Sequence, residues 1–210
     1  MSKFMAFDKM SPYAYPFYIM FHPRDGFQEM KYYKKTSNLI TGAIVVLWLI
    51  TELFYRSFAD FDFNMKQEAD FLITFLATVG VFFVVTVSNW CFCTLMDGKG
   101  SYKEICAVCA YSLLPYIFVR ILTTLLSRVM TLDEGILLNY SVTLSLVWSF
   151  LVLFAGLGEI HEYSEGKTAG SLVLAVLGML IILFILLLLA TVFRQLGVFL
   201  WTVFLELTTR

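Results

Sequence analysis

The stretch SLVLAVLGMLIILFILLLLATVF, residues 171–193, runs for 23 positions without a charged side chain. As an α-helix it would be about 35 Å long, enough to cross a hydrocarbon core of roughly 30 Å. Inside lipid no water satisfies the backbone, so such a segment must bond its own N–H and C=O groups as a helix. Four further apolar runs of similar length precede it, at 39–58, 71–96, 105–127 and 136–158, interrupted by charge only at Glu52, Arg56 and Arg120. The fold class that follows is an all-α membrane protein, a bundle of five transmembrane helices.

The rest of the chain agrees with that reading. Hydrophobic residues make up 60% of the 210, charged residues 15%, and the mean hydropathy is +0.80. A soluble domain of this size could not hide that much apolar surface. A formal net charge of −1 gives no basic field for nucleic acid, so nucleic acid is not an expected partner and the lipid bilayer is.

Charge also sets the expected orientation. Lys3, Lys9, Arg24, Lys31, Lys34, Lys35, Lys99, Lys103 and Lys167 fall on one side, nine cations against the five of Arg56, Lys66, Arg128, Arg194 and Arg210. The positive-inside rule therefore places the N-terminus in the cytoplasm and the C-terminus outside, in a multi-pass protein of the cell membrane. No apolar core with a cleavage site interrupts the cationic leader, which is expected to stay on the chain.

Three regions follow: a leader, 1–38; a membrane domain, 39–193; and an amphipathic tail, 194–210. In the leader, Tyr13, Tyr15, Phe17 and Tyr18 precede a helix-like stretch that sets Phe27 and Met30 opposite Lys31 and Lys34. It is expected to lie along the membrane surface, rings at headgroup level. Phe199, Trp201, Phe204 and Leu207 mark the tail as a second interfacial segment, too short for another crossing. The longest loop, 59–70, is acidic and expected outside.

Few residues could carry chemistry. Cys91-x-Cys93 and Cys106-x-x-Cys109 flank one short loop and resemble a zinc pattern. Inside helices, however, residues two apart point in nearly opposite directions, so plain buried thiols are expected and no metal site is assigned. Glu159, His161, Glu162 and Glu165 could hold a divalent cation if Glu159 and Glu162 shared a helix face; an ordinary polar helix end with a turn at Gly166 is the simpler reading. No nucleophile constellation or phosphate loop is present, so no enzyme activity and no cofactor are expected. Pro115 removes a backbone bond and should kink the third span beside Tyr111. Asp97-Gly98-Lys99-Gly100 should reverse tightly on glycine backbone angles, with Ser101 and Glu104 forming a capping box. Glu52 and Arg120 lie about 20 and 22 Å into the first and third spans, nearly level, and should pair between helices.

Taken together, several stretches resemble a family. His22-Pro-Arg-Asp-Gly-Phe27, Asn89-Trp90, Leu95-Met-Asp-Gly-Lys-Gly-Ser-Tyr-Lys-Glu-Ile105, Tyr111-Ser-Leu-Leu-Pro-Tyr116 and Gly158-Glu-Ile-His-Glu-Tyr-Ser164 are similar to the bacterial branch of the YIP domain family, named for eukaryotic members that bind Ypt/Rab GTPases. The resemblance implies five spans with a cytoplasmic N-terminus. The long N-terminal region and the Asp-Leu-Tyr-Gly-Pro type motif of the eukaryotic members are missing, so their trafficking roles do not transfer. For bacterial relatives the resemblance implies accessory partners of transport systems, including ABC-type transporters.

The expected function is a non-enzymatic scaffold or accessory subunit. Its docking residues are expected at His22, Asp25, Asp97, Lys99, Glu104, Glu159, His161 and Glu162, all on one face. A small transporter with a pathway through Glu52, Asn89, Arg120 and Asn139 is the alternative. An intramembrane enzyme with a metal on the four cysteines is the third.

Overall fold

The computed structural model describes residues 15–33, 37–60, 70–131 and 134–208. Among them the chain forms helices and no strand. Two short helices, α1 (Tyr15–Phe21) and α2 (Pro23–Tyr33), lead into α3 (Asn38–Phe58). The second span is α4 (Phe71–Phe75), a π-helical turn (Leu76–Gly80) and α5 (Val81–Leu95). The third is α6 (Tyr102–Ser112) and α7 (Leu114–Leu126), and two long helices follow, α8 (Gly135–His161) and α9 (Glu165–Thr208). Five helices are thus long and apolar enough to cross a membrane.

Local chemistry sets the ends. Ser37 caps α3 by accepting from the Ile40 N–H, and Asp70 caps α4 by accepting from Leu72 and Ile73. The Glu104 carboxylate accepts from the Ser101 backbone N–H at 2.7 Å and from its hydroxyl at 2.8 Å, as the sequence pattern predicts for the start of α6. The third span breaks at Leu113, two residues before Pro115, whose ring removes one donor from the ladder. Tyr111, just before the break, is buried in the core. Several hydroxyls inside the spans are satisfied by their own helix: Thr51 donates to Leu47, Thr78 to Thr74 and Ser112 to Cys109. Ser88 instead donates across to the Ala175 carbonyl at 2.6 Å and locks α5 to α9.

The third span is the centre of the bundle and the most buried of the five. Ala107, Val108, Ala110 and Tyr111 of α6 meet Ile44 and Val45 of α3 and Val152, Leu157 and Ile160 of α8. Phe27 and Met30 of α2 complete this core with no exposed surface. That corrects the expected contact of the leader's apolar face. It is amphipathic, but its apolar face is turned inward against α6 and α8 rather than laid on lipid. Gly156 makes the room, since a Cβ there would stand 2.7 Å from both Phe27 and Val108. Tyr15 is buried as well, its hydroxyl donating to the Gly26 carbonyl, while Tyr13 lies outside the described residues.

The expected boundary between membrane domain and tail is not a break. α9 runs unbroken through Arg194 to Thr208, 44 residues in all. Every residue from 183 to 208 is exposed. Nor is the turn between the last two spans at Gly166, which lies inside α9; Glu162 makes it, with a left-handed φ of 56°. Most of the acidic 59–70 loop lies outside the described residues.

Candidate functional site

At the end of the bundle where the leader sits, three segments distant in sequence close on one another: α2, the 96–101 loop, and the α8–α9 turn. Lys31 of α2 is the central tie. Its ammonium donates to the Ile160 carbonyl at 2.7 Å, satisfying one of the open carbonyls at the end of α8, and pairs with Glu162 at 2.7 Å. Lys99 of the loop pairs with the second Glu162 oxygen at 2.5 Å. One carboxylate thus joins all three segments, and hydrogen bonds from the two lysines hold its pKa down at about 2.

Under this bridge the loop is pressed onto the turn. The Gly100 N–H donates to His161 Nδ1 at 3.3 Å, which puts the imidazole proton on Nε2, buried and without a partner. Tyr163 stacks on His161, and its hydroxyl donates to the carbonyls of Cys93 and Met96 at 3.1 and 3.3 Å. Burial pushes the Tyr163 pKa up to about 12, so it remains a donor. Lys167 lies over the same ring at 4.6 Å, and Arg24 pairs with Glu165 at 2.7 Å. The two glycines serve a different purpose from the expected one. Neither has a positive φ; Asp97 takes that conformation, with a φ of 58°. A Cβ on Gly98 would stand 2.6 Å from the Tyr163 hydroxyl and 2.7 Å from the Cys93 carbonyl, so closeness excludes a side chain.

The predicted docking residues divide by role. Lys99, Glu104, His161 and Glu162 are bonded within the site. His22 and Asp25 of the leader and Asp97 of the loop are exposed, and Glu159 is half-buried. Glu159 and Glu162 do not share a face, because α8 ends at His161 and Glu162 turns away to the lysines. Among the described residues no three His, Cys, Asp or Glu side chains come together as a metal group. Cys93 and Cys109 are buried while Cys91 is exposed. Sequence reasoning missed Lys31 as a helix cap, Tyr163 as the linchpin, and Glu29, whose carboxyl is buried with Oε2 unpartnered.

The ion pair inside the membrane is formed. Arg120 Nη2 lies 3.9 Å from Glu52, joining α7 to α3. Two tyrosines complete it: Tyr116 donates to the other Glu52 oxygen, and the Arg120 guanidinium sits 3.4 Å above the Tyr55 ring. Both were within reach of spacing arguments, Tyr116 one turn before Arg120 and Tyr55 one turn after Glu52. Asn89 is buried against Cys93, whereas Asn139 is exposed on the outside of α8. The four polar residues therefore do not line one interior path.

The Glu162 bridge carries a pH signature. Its contribution is complete above the ordinary carboxylate range and fades as acid carries the pH down toward about 2, the folded-state pKa. Hydrogen exchange of α2, corrected for intrinsic rates, should rise over that acid window. Glu162→Gln should show the faster exchange already at neutral pH and no acid step. An acid step of unchanged size in the variant would assign the transition to another carboxylate.

No curated protein and no solved structure matches the chain. The Yip1 domain model matches residues 17–205, from the leader helices through α9 and so across both the site and the intramembrane pair. With so much of its length covered, the chain belongs to the Yip1 domain family of membrane proteins.

Proposed function

We propose that this protein works by binding, as a non-enzymatic scaffold or accessory subunit of another membrane complex. The leader-end face is its docking surface, set on the cytoplasmic side with the C-terminus outside, as the cation asymmetry favours. The supporting observation is the Lys31–Glu162–Lys99 bridge, which fixes three distant segments into one surface while His22, Asp25 and Asp97 remain exposed. A preorganised polar face of this kind loses little entropy on docking. The residue stretches similar to the bacterial branch of the family make a transport system, including the ABC type, the partner class to look for first.

Affinity purification in several mild detergents should recover a stoichiometric membrane partner. The double variant Asp25→Lys/Asp97→Asn, altered only at exposed positions and keeping at 97 a residue type suited to its left-handed backbone, should lose it while keeping its thermal midpoint. Recovery of the protein alone in every detergent would remove this reading.

A further inference from the structure

The helix α8 is longer than the hydrocarbon core is thick. Its 27 residues reach about 40 Å against roughly 30 Å, so about three residues at either end stand at headgroup level. Near that level at the leader end α8 and α9 touch, since a Cβ on Gly158 would stand 3.2 Å from the Thr168 hydroxyl. Toward the middle of the membrane they part. Phe154, Leu151 and Val147 lie four, seven and eleven residues before Gly158 and share its face, yet Leu151 is 53% exposed and Val147 52%. The side of α8 turned toward α9 is thus left open to lipid. From Gly158 to Val147 this apolar crevice is about 16 Å long, close to the depth of one leaflet, about 15 Å.

Its mouth is polar. A cavity of about 180 Å³ opens there between Arg24 of the leader, Gly158 and Glu159 of α8, and Glu165 and Thr168 of α9, with Phe154 on its apolar side. Arg24 and Glu165 are paired at 2.7 Å, a contact that leaves further guanidinium donors unused. Glu159 has neither an ion pair nor a hydrogen bond among the described residues. One cation therefore stands against two carboxylates in a single cavity, and one of those carboxylates has no partner.

These features specify a ligand by its chemistry. It needs a cationic N–H group for Glu159, an anionic oxygen for Arg24, and an apolar chain for the crevice below them. A phospholipid with an ethanolamine headgroup carries all three in that order. A glycerol headgroup offers no cation to Glu159, and the quaternary ammonium of choline has no N–H to donate.

We propose that this cavity holds the headgroup of an ethanolamine phospholipid from the leader-side leaflet, its amine on Glu159, its phosphate on Arg24, and one acyl chain along Phe154, Leu151 and Val147. No partner protein is needed for this binding, so it and the docking reading stand or fall separately.

Native mass spectrometry of the purified full-length protein, offered equal amounts of phosphatidylethanolamine, phosphatidylglycerol and phosphatidylcholine in mild detergent, reads the preference. The ethanolamine lipid should be retained about tenfold over either of the others, the worth of one charge-assisted hydrogen bond. Glu159→Gln breaks no bond of the fold and should bring the three lipids close to parity. Glu206→Gln, an exposed carboxylate at the far end of α9, should leave the preference as it was. Soluble phosphoethanolamine at the lipid's own concentration should not displace it, because it has no chain for the crevice. Equal retention of the three lipids by the parent, or a preference that survives Glu159→Gln, would overturn the proposal, and displacement by the soluble headgroup would overturn the assignment to a lipid.

Discussion

Gly98→Val and Gly100→Val should each strip the protein of a large part of its stability in detergent. A valine at position 98 would push into the Tyr163 hydroxyl, the His161 ring and the Cys93 carbonyl, of which the last is backbone and cannot swing aside. At position 100 it would meet Ile160 and the His161 ring, breaking the Gly100 N–H bond to Nδ1. Overpacking of this kind costs about 1–3 kcal/mol, and the lost hydrogen bond adds about 1. Thermal unfolding followed by fluorescence should show midpoints well below the parent. Gly166→Ala and Gly170→Ala provide the contrast, since nothing stands within 4 Å of either new Cβ, and a helical glycine replaced by alanine gains about 0.5–1 kcal/mol. If the two loop variants unfold with the parent, the loop is not pressed onto the α8–α9 turn as described.

The second large effect concerns the intramembrane pair, and it should be asymmetric. Removing one partner of a buried ion pair costs about 3–5 kcal/mol because it strands the other charge. The two stranded charges are not equivalent. After Arg120→Gln, Glu52 keeps its bond from Tyr116. After Glu52→Gln, Arg120 cannot lose its proton and keeps only the Tyr55 ring, with its Nε already lacking a partner. Glu52→Gln should therefore be the more damaging single change, and the double variant should recover part of the loss. A double-mutant cycle on unfolding midpoints measures the coupling. Strictly additive losses would mean that the 3.9 Å approach carries no interaction energy.

Why the sequence revealed some of this and not the rest follows from the physics of each signal. Span positions were legible because length and apolarity are counted directly: the first span, expected at 39–58, is Asn38–Phe58, and the fourth, expected at 136–158, is Gly135–His161. The Glu52–Arg120 pair was legible because two charges at one depth leave each other as the cheapest partner. What the leader's apolar face touches was not legible, because an amphipathic helix reads the same whether that face meets lipid or protein. Only the notch at Gly156, on a helix more than 100 residues away, shows which it is. That the helix itself runs on past Arg194 was not legible, because Arg194 favours a helix and the single Gly197 costs one only about 1 kcal/mol. The role of Lys31 was hidden for a related reason, since what it caps is the Ile160 carbonyl, and a backbone atom leaves no mark in composition.

The π-helical turn at Leu76–Gly80 bears on how freely this chain can change length. Val81 donates its N–H to the Leu76 carbonyl five residues back, so the turn accommodates one residue more than an α-turn would. Deleting a single residue there would convert it into ordinary helix while α4 and α5 keep nearly the faces they present now. The same deletion in α6, where every residue from Ala107 to Ser112 is buried, would rotate the centre of the core out of register. The second span can thus lose one residue in its far half, where the third span cannot.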